Sequence, residues 1–319
     1  MTRSLLCLGV IALGAMVLAV ALGSVNVPLV DVWQVLRGEG STLHRTLLLD
    51  LRLPRTLAAF GTGGLLAVAG ALMQVLLRNP LADPYVLGLS GGAAVGALLA
   101  MLAGMGTLII SGSAFAGAML ATVLVFGLAH GTGSWTPSRL LLTGVVVAAG
   151  WGAVITLMLA ITPSYKLPGM LYWLMGDVSY ARSPWPAVVV LAVSVVLIMP
   201  LARNLNVLAR GPLQAAALGV AVRPLEWTIY VAASLLTATA VTTAGSIGFV
   251  GLIVPHMLRL VLGNDQRIIL PASALAGGTL LVLADTLART VIAPEQLPVG
   301  VITALLGVPT FLYLLHRSR

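Results

Sequence analysis

Few residues in this chain have the types and spacing that do chemistry, and most of their arrangements exclude an activity. The four histidines, His44, His130, His256 and His316, stand far apart, with no carboxylate or second histidine at metal-ligand spacing. No H-E-x-x-H or G-x-S-x-G pattern occurs. The stretch Gly88-Leu89-Ser90-Gly91-Gly92 lacks the lysine of a phosphate-cradling loop, so no ATPase site is expected on this chain. Cys7 is the only cysteine and can form neither an internal disulfide nor a thiolate cluster. The expectation is therefore no catalytic residue, no metal site and no cofactor. What remains is a set of arginines and carboxylates. Asp50, Arg52 and Arg55 cluster ahead of the second apolar run, and Asp285 and Arg289 lie one helical turn apart, in reach of an ion pair. A guanidinium presents a fixed fork to a carboxylate. These groups can pair with one another, through Asp50 or Asp285, or with carboxylates of a partner. Asp285 is the one strong candidate for a carboxylate inside the membrane, and a proton-driven carrier would need more such groups. The energy source is expected on another chain.

The elements that must position these groups are apolar. Of 319 residues, 59% are hydrophobic and 8% charged, with a mean hydropathy of +1.07. A soluble domain carries roughly 25% charged residues, so a soluble enzyme and a disordered chain are excluded. The net charge of +8 is almost all arginine, with Lys166 the only lysine and no basic cluster interleaved with aromatics. Nucleic acid is therefore not an expected partner. The reading is an all-α membrane protein, one domain over 1–319, with about ten spans of about 20 residues each. The first is Leu5 to Gly23. Its apolar run exceeds the 7–15 residues of a signal-peptide core, so it is read as a retained helix. The others run roughly 56–77, 86–103, 107–129, 139–161, 187–201, 225–244, 247–262, 270–288 and 298–315, leaving Asp50, Arg52 and Arg55 in or beside a long first loop. Ten spans place both termini on one side. With the termini cytoplasmic, ten basic residues fall inside and seven outside, as the positive-inside rule prefers. Gly61, Gly63, Gly64 and Gly70 line the second span with alanines, which lets helices approach closely in lipid.

Several stretches together resemble one family. They are Leu51-Arg52-Leu53-Pro54-Arg55-Thr56, Gly70-Ala71-Leu72-Met73-Gln74, Arg78-Asn79-Pro80-Leu81-Ala82-Asp83-Pro84, and Ala244 through His256. Ala284-Asp285-Thr286-Leu287-Ala288-Arg289, Leu297-Pro298-Val299-Gly300 and Gly307-Val308-Pro309-Thr310-Phe311 complete the set. In this order they resemble the FecCD family, the permease subunits of ABC importers for ferric siderophores, haem and cobalamin. The resemblance implies ten helices in the bacterial inner membrane with cytoplasmic termini. It implies a homodimer or pseudo-dimer with the pathway between the copies, and homodimer is the expectation here. It also implies a cytoplasmic ATPase dimer below, where ATP is hydrolysed, a periplasmic binding protein above, and lipid around. A ferric siderophore is the expected cargo, with cobalamin or haem as the alternative. A secondary carrier without an ATPase is the competing class.

The resemblance also implies roles for particular residues. Arg52, Arg55 and Arg289 would receive acidic residues of the binding protein, the alternative being internal pairing. A coupling helix near 211–221, with Arg210, Gly211, Leu213, Gln214, Ala217, Leu218 and Gly219, would sit on the ATPase. Its apolar face would run through Leu213, Ala216, Ala217 and Val220, and Pro212 would occupy the first turn. Relatives usually carry an acidic residue where Pro212 stands. Thr136 and Ser138 would form a constriction, with Pro137 alternatively only starting a helix. The segment 164–186, with Met170, Tyr172, Trp173, Met175, Asp177 and Tyr180, would line the upper pathway or form an interfacial aromatic belt.

Overall fold

The computed structural model describes residues 2–23, 27–39, 41–129, 136–181 and 183–317. No strand occurs among the described residues. Ten apolar helices hold the long elements: α1 (Thr2–Ala21), α2 (Leu53–Leu76), α3 (Leu89–Leu102), α4 (Thr107–Ala129), α5 (Pro137–Ile161), α6 (Trp185–Ile198), α7 (Val222–Ala244), α8 (Val250–Leu262), α9 (Gln266–Thr290) and α10 (Val299–Arg317). Each of the ten expected apolar segments coincides with one of them to within a few residues. Seven are long and apolar enough to cross a bilayer, counting the helical turns before α2 and after α6, while α3, α8 and the Val299–Leu314 part of α10 are shorter.

The short helices have a physical consequence. At 1.5 Å per residue, the 14 residues of α3 and 13 of α8 reach only about 20 Å. The chain completes them with irregular backbone, which is tolerated at membrane depth only where protein satisfies it. Here it is satisfied. The amide of Ile247 donates to the Tyr85 hydroxyl at 3.1 Å, and the Ser90 and Ser246 hydroxyls lie 2.7 Å apart. The Asp177 amide donates to the Ala244 carbonyl at 2.8 Å, and the Gly300 amide to the Gly176 carbonyl at 3.1 Å. The turns before α3 and before α8 thus close on each other.

Helix α2 is the spine. Every residue from Gly61 to Leu76 is buried. It runs antiparallel to α9, with Arg55 opposite Asp285, Gly63 against Gly277, and Gly64 near Ala274. A methyl group added at Gly63 would meet the Gly277 carbonyl, and one added at Gly70 would meet the Gly251 backbone of α8. The small residues are what allow this approach. Helix α5 is the opposite case: it is mostly exposed, and methyl groups at Gly150 or Gly152 would meet nothing within 4 Å.

The sequence reading of a long first loop is corrected. Thr42–Arg45 is α-helical and Thr46–Arg52 is a wider π-helical stretch that runs directly into α2. The Ser41 hydroxyl caps it, accepting from the His44 amide at 3.2 Å, and Leu48 supplies a buried face. Pro54 has no N–H for the carbonyl four residues back, and the helix widens just ahead of it. Asp50, Arg52 and Arg55 are therefore held on a helix.

The packing predicts a contrast between two glycines. Gly70→Ala should destabilise by about 1–3 kcal/mol through overpacking against α8. Gly150→Ala should stay within about 0.5 kcal/mol of the parent. Thermal unfolding in detergent checks both, and equal melting temperatures would refute the spine assignment.

Candidate functional site

The antiparallel α2 and α9 give the molecule two polar ends. One end gathers the start of α2 and the finish of α9. Arg55 forks onto Asp285, with Nε at 3.1 and 3.2 Å from the two carboxylate oxygens and Nη2 at 2.8 Å from Oδ1. Its Nη1 donates to Gln296 Oε1 at 2.8 Å, and Nη2 lies 3.6 Å from Asp177 Oδ1. Arg289 approaches the same Asp285 from one turn away on α9, Nε to Oδ2 at 3.0 Å. Its Nη2 donates to the Ala19 carbonyl at 3.3 Å. Arg52 donates to the Val20 and Ala21 carbonyls at 3.0 and 2.8 Å, satisfying the last turn of α1, which a cation at a helix C-terminus favours. Arg52, Asp285 and Arg289 are all buried, with Asp285 only 1% exposed. A cavity of about 370 Å³ opens onto this cluster, walled in part by Asp50, Arg52, Arg55, Arg289 and Gln296.

The three arginines singled out from sequence thus come together, and the expected Asp285–Arg289 pair forms. Internal pairing runs through Asp285, whereas Asp50 sits exposed at the cavity rim. Asp177 and Gln296 were missed as members of the cluster. They lie more than a hundred residues from Arg55, and only the fold brings them there. Asp177 has a second task, since its Oδ1 accepts from the Ser179 amide at 2.8 Å and caps the turn Val178–Tyr180. The 164–186 reading needs correction in part: Met170 and Trp173 are buried in a core cluster with α3 and α4, while Tyr172 is exposed.

The other end joins the finish of α2 to the start of α9. Here the short helix Pro212–Ala217 lies between α6 and α7, with Gly211 at φ +131° ahead of it and Pro212 in its first turn, as expected. It ends sooner than the expected segment, with Leu218 at its C-cap and Gly219 at φ +79°. Its buried contact is Ala215. Leu213, Gln214, Ala216, Ala217 and Leu218 face away from the chain, and Leu213 is 86% exposed. Arg210, just before it, is exposed too. The preceding helical turn is pinned to α9. Asn206 Nδ2 donates to Asp265 Oδ1 at 2.8 Å, and the Gln266 amide donates to Asn206 Oδ1 at 2.7 Å. Asp265 also takes the fork of Arg267, with Nη2 at 2.8 Å, and these hydrogen bonds hold its carboxyl down at about 2.

Thr136 and Ser138 are exposed at the start of α5, where the Thr136 hydroxyl accepts from the Arg139 amide at 3.3 Å. In the single chain they start a helix and face open space. His130, and Arg182 and Arg319 from the charge count, lie outside the described residues.

The profile of the FecCD transport family matches residues 10–317. The chain belongs to the FecCD transport family. It is 40% identical to the uncharacterized ABC transporter permease protein YvrB of Bacillus subtilis, over 96% of this chain and 91% of that one. It is 38% identical to the vitamin B12 import system permease protein BtuC of Shigella boydii, over 99% and 96%. It is 39% identical to the hemin transport system permease protein HmuU of Yersinia pestis, over 85% and 83%. Among solved structures, it resembles a metal-chelate type ABC transporter in an inward-facing conformation, with a TM-score of 0.87, 29% identity, and coverage of 99% of this chain and 100% of that one. The FecCD chain described here is a multi-pass membrane protein and an ABC importer permease. Family membership implies ATPase and substrate-binding partners.

The depressed Asp265 carboxyl sets a pH dependence. Its folded value lies below the ordinary value of about 3.9, so its contribution is present above about pH 4 and is lost as pH falls toward 2. Asp265→Asn should remove this part of the acid limb of a melting-temperature profile. A profile that keeps the limb unchanged would show that the Asp265 cluster does not hold the segment.

Proposed function

We propose that this FecCD permease carries a metal chelate across the bacterial inner membrane, taking it from a periplasmic binding protein and drawing energy from a cytoplasmic ATPase dimer. The observation that carries the reading is the polar division of one antiparallel helix pair. An arginine-walled cavity stands at one end of α2 and α9, and an outward-facing helix pinned to α9 stands at the other. In this reading the arginine end is periplasmic and both termini are cytoplasmic. Arg52, Arg55 and Arg289 form a positive receptacle that orients the binding protein through its acidic residues. Because Arg55 and Arg289 already share Asp285, docking adds carboxylates at the cavity mouth and leaves the internal pair in place. Leu213, Ala217 and Leu218 present an apolar surface to the ATPase, with Arg210 and Gln214 at its edge and Gly211 and Gly219 permitting its tight entry and exit. Two copies assemble around the pathway, with Thr136 and Ser138 narrowing it at the cytoplasmic side.

Within the chelates, the sequence reading places ferric siderophores first. The similarity to BtuC over nearly the whole chain favours cobalamin as a second reading. Uptake by cells with and without the chain, offered labelled ferric siderophores and labelled cobalamin in parallel, separates them. Loss of iron uptake alone supports the first, and loss of cobalamin uptake alone moves the cargo to the second. Unchanged uptake of both, with hemin also unaffected, would overturn the cargo class. The same assay reads the assigned roles. Arg55→Lys should weaken the binding protein about tenfold and lower the melting temperature, since an ammonium keeps the charge but lacks the fork that Asp285 holds. Leu213→Asp should abolish uptake while that affinity is kept, and a Ser138→Cys crosslink between copies should stop it. Unchanged values would remove the respective role.

A further inference from the structure

A second cavity, of about 620 Å³, opens at the end opposite the arginine cluster. Its charged walls come from four separate segments: Arg78 after α2, Arg210 before the Pro212–Ala217 helix, Arg259 on α8, and Asp265 with Arg267 at the start of α9. Four guanidinium groups thus share one carboxylate. Arg267 forks onto it. Arg259 donates to Gln74 Oε1 and to the Ala71 carbonyl, which carry no charge. Arg78 and Arg210 are exposed, and among the described residues their guanidinium groups make no hydrogen bond or ion pair. Glu226 on α7 acts on Arg78 through space but is not a wall of the cavity. The cavity is cationic even with Glu226 counted. Arg78 is marked by its backbone as well. It stands one residue past the C-cap of α2 with φ +48°. Its amide donates to the Val75 carbonyl at 3.2 Å, and the Asn79 amide reaches back to the Gln74 carbonyl at 3.2 Å. This left-handed helix stop usually holds glycine, because a side chain there is strained. Among the described residues only Arg78 and Phe249 combine a side chain with a positive φ. Strain that persists points to a task for the side chain.

We propose that this cavity receives a carboxylate side chain of the ATPase, held between Arg78 and Arg210. The proposal rests on the reading that the Pro212–Ala217 helix docks on the ATPase, and it names the chemistry of the partner's contact. Arg210 lies two residues before Pro212, so an ATPase that covers the exposed Leu213 also meets the cavity mouth. The docking segment has one sign of charge. Residues 202–219 hold Arg203 and Arg210 and no carboxylate. A basic group on the ATPase would find no partner there, whereas an acidic one finds two free guanidinium groups. A concave, partly desolvated site strengthens such a charge-assisted contact over the same pair on an open surface.

The chain in a lipid nanodisc, with the ATPase that copurifies with it, tests this. Arg78→Gly removes the guanidinium and relieves the left-handed strain, so binding and stability should move apart. The expected result is a melting temperature no lower than the parent's, with ATPase affinity about tenfold weaker at low salt. The gap should narrow as salt rises. Arg203, exposed but outside the cavity, is the control, and Arg203→Gln should keep the parent affinity. Carbodiimide coupling reads the partner's chemistry. Lys166 is the only lysine of the chain and is not a wall of the cavity, so Arg78→Lys places a single primary amine there. That amine should form an amide with an aspartate or glutamate of the ATPase, located by peptide mass spectrometry. Unchanged affinity in Arg78→Gly, an equal loss in Arg203→Gln, or no amide in the assembled Arg78→Lys complex would overturn the proposal. If Leu213→Asp releases the ATPase while Arg78→Gly keeps it, the docking reading stands and the cavity's role falls. If both variants keep it, the docking reading falls as well.

Discussion

One buried carboxylate organises the arginine end of the molecule. Asp285 takes the fork of Arg55 from α2 and the Nε of Arg289 from its own helix, at a position almost closed to solvent. Burying charge is costly, and removing one partner of a buried pair costs about 3–5 kcal/mol because the other is left uncompensated. Here the compensation extends further. Arg289 and Arg52 hand their remaining donors to the last carbonyls of α1, and Arg55 reaches Gln296 ahead of α10. Three helices far apart in sequence, α1, α2 and α9, and the turn ahead of α10 are thereby tied together. An intramembrane ionisable group of this kind is expected to face the protein interior and to have a partner, and every member of the cluster does.

The rest of the architecture follows from the antiparallel helix pair that this cluster closes. Because α2 and α9 pack closely where Gly63 meets Gly277, the separation of the two polar ends follows helix length, about 36 Å for the 24 residues of α2. The element between the two ends is packed, with every residue of α2 from Gly61 to Leu76 buried. The broken backbone near Ser246 and Ser90 sits beside that element. It is held by a few hydrogen bonds between irregular turns.

Much of this was legible in the residues. The ten apolar helices follow from runs of uncharged side chains, each of which takes up a helix to satisfy its backbone. Arg52, Arg55 and Arg289 were legible as a group through their motifs, and the Asp285–Arg289 pair through its one-turn spacing. The start of the helix at Pro212 was legible because proline suits a first turn. The helical path of residues 42–52 was not, since charges at Asp50 and Arg52 read as loop until the buried Leu48 face is seen. Asp177 was legible only as part of the 164–186 segment and Gln296 not at all, because their place beside Arg55 depends on long-range packing and leaves no local pattern. Met170 and Trp173 misled because an aromatic-rich segment looks the same whether it lines a pathway or fills a core.

The most direct test of the account is a double-mutant cycle on Arg55 and Asp285, using Arg55→Met and Asp285→Met, read as melting temperature in a lipid nanodisc. The account predicts that the Asp285→Met single variant is strongly destabilised, and that the double variant is more stable than the sum of the single changes would give. That coupling should exceed about 1 kcal/mol. Strictly additive effects would contradict it, because the carboxylate would then not be what holds the helices at that end.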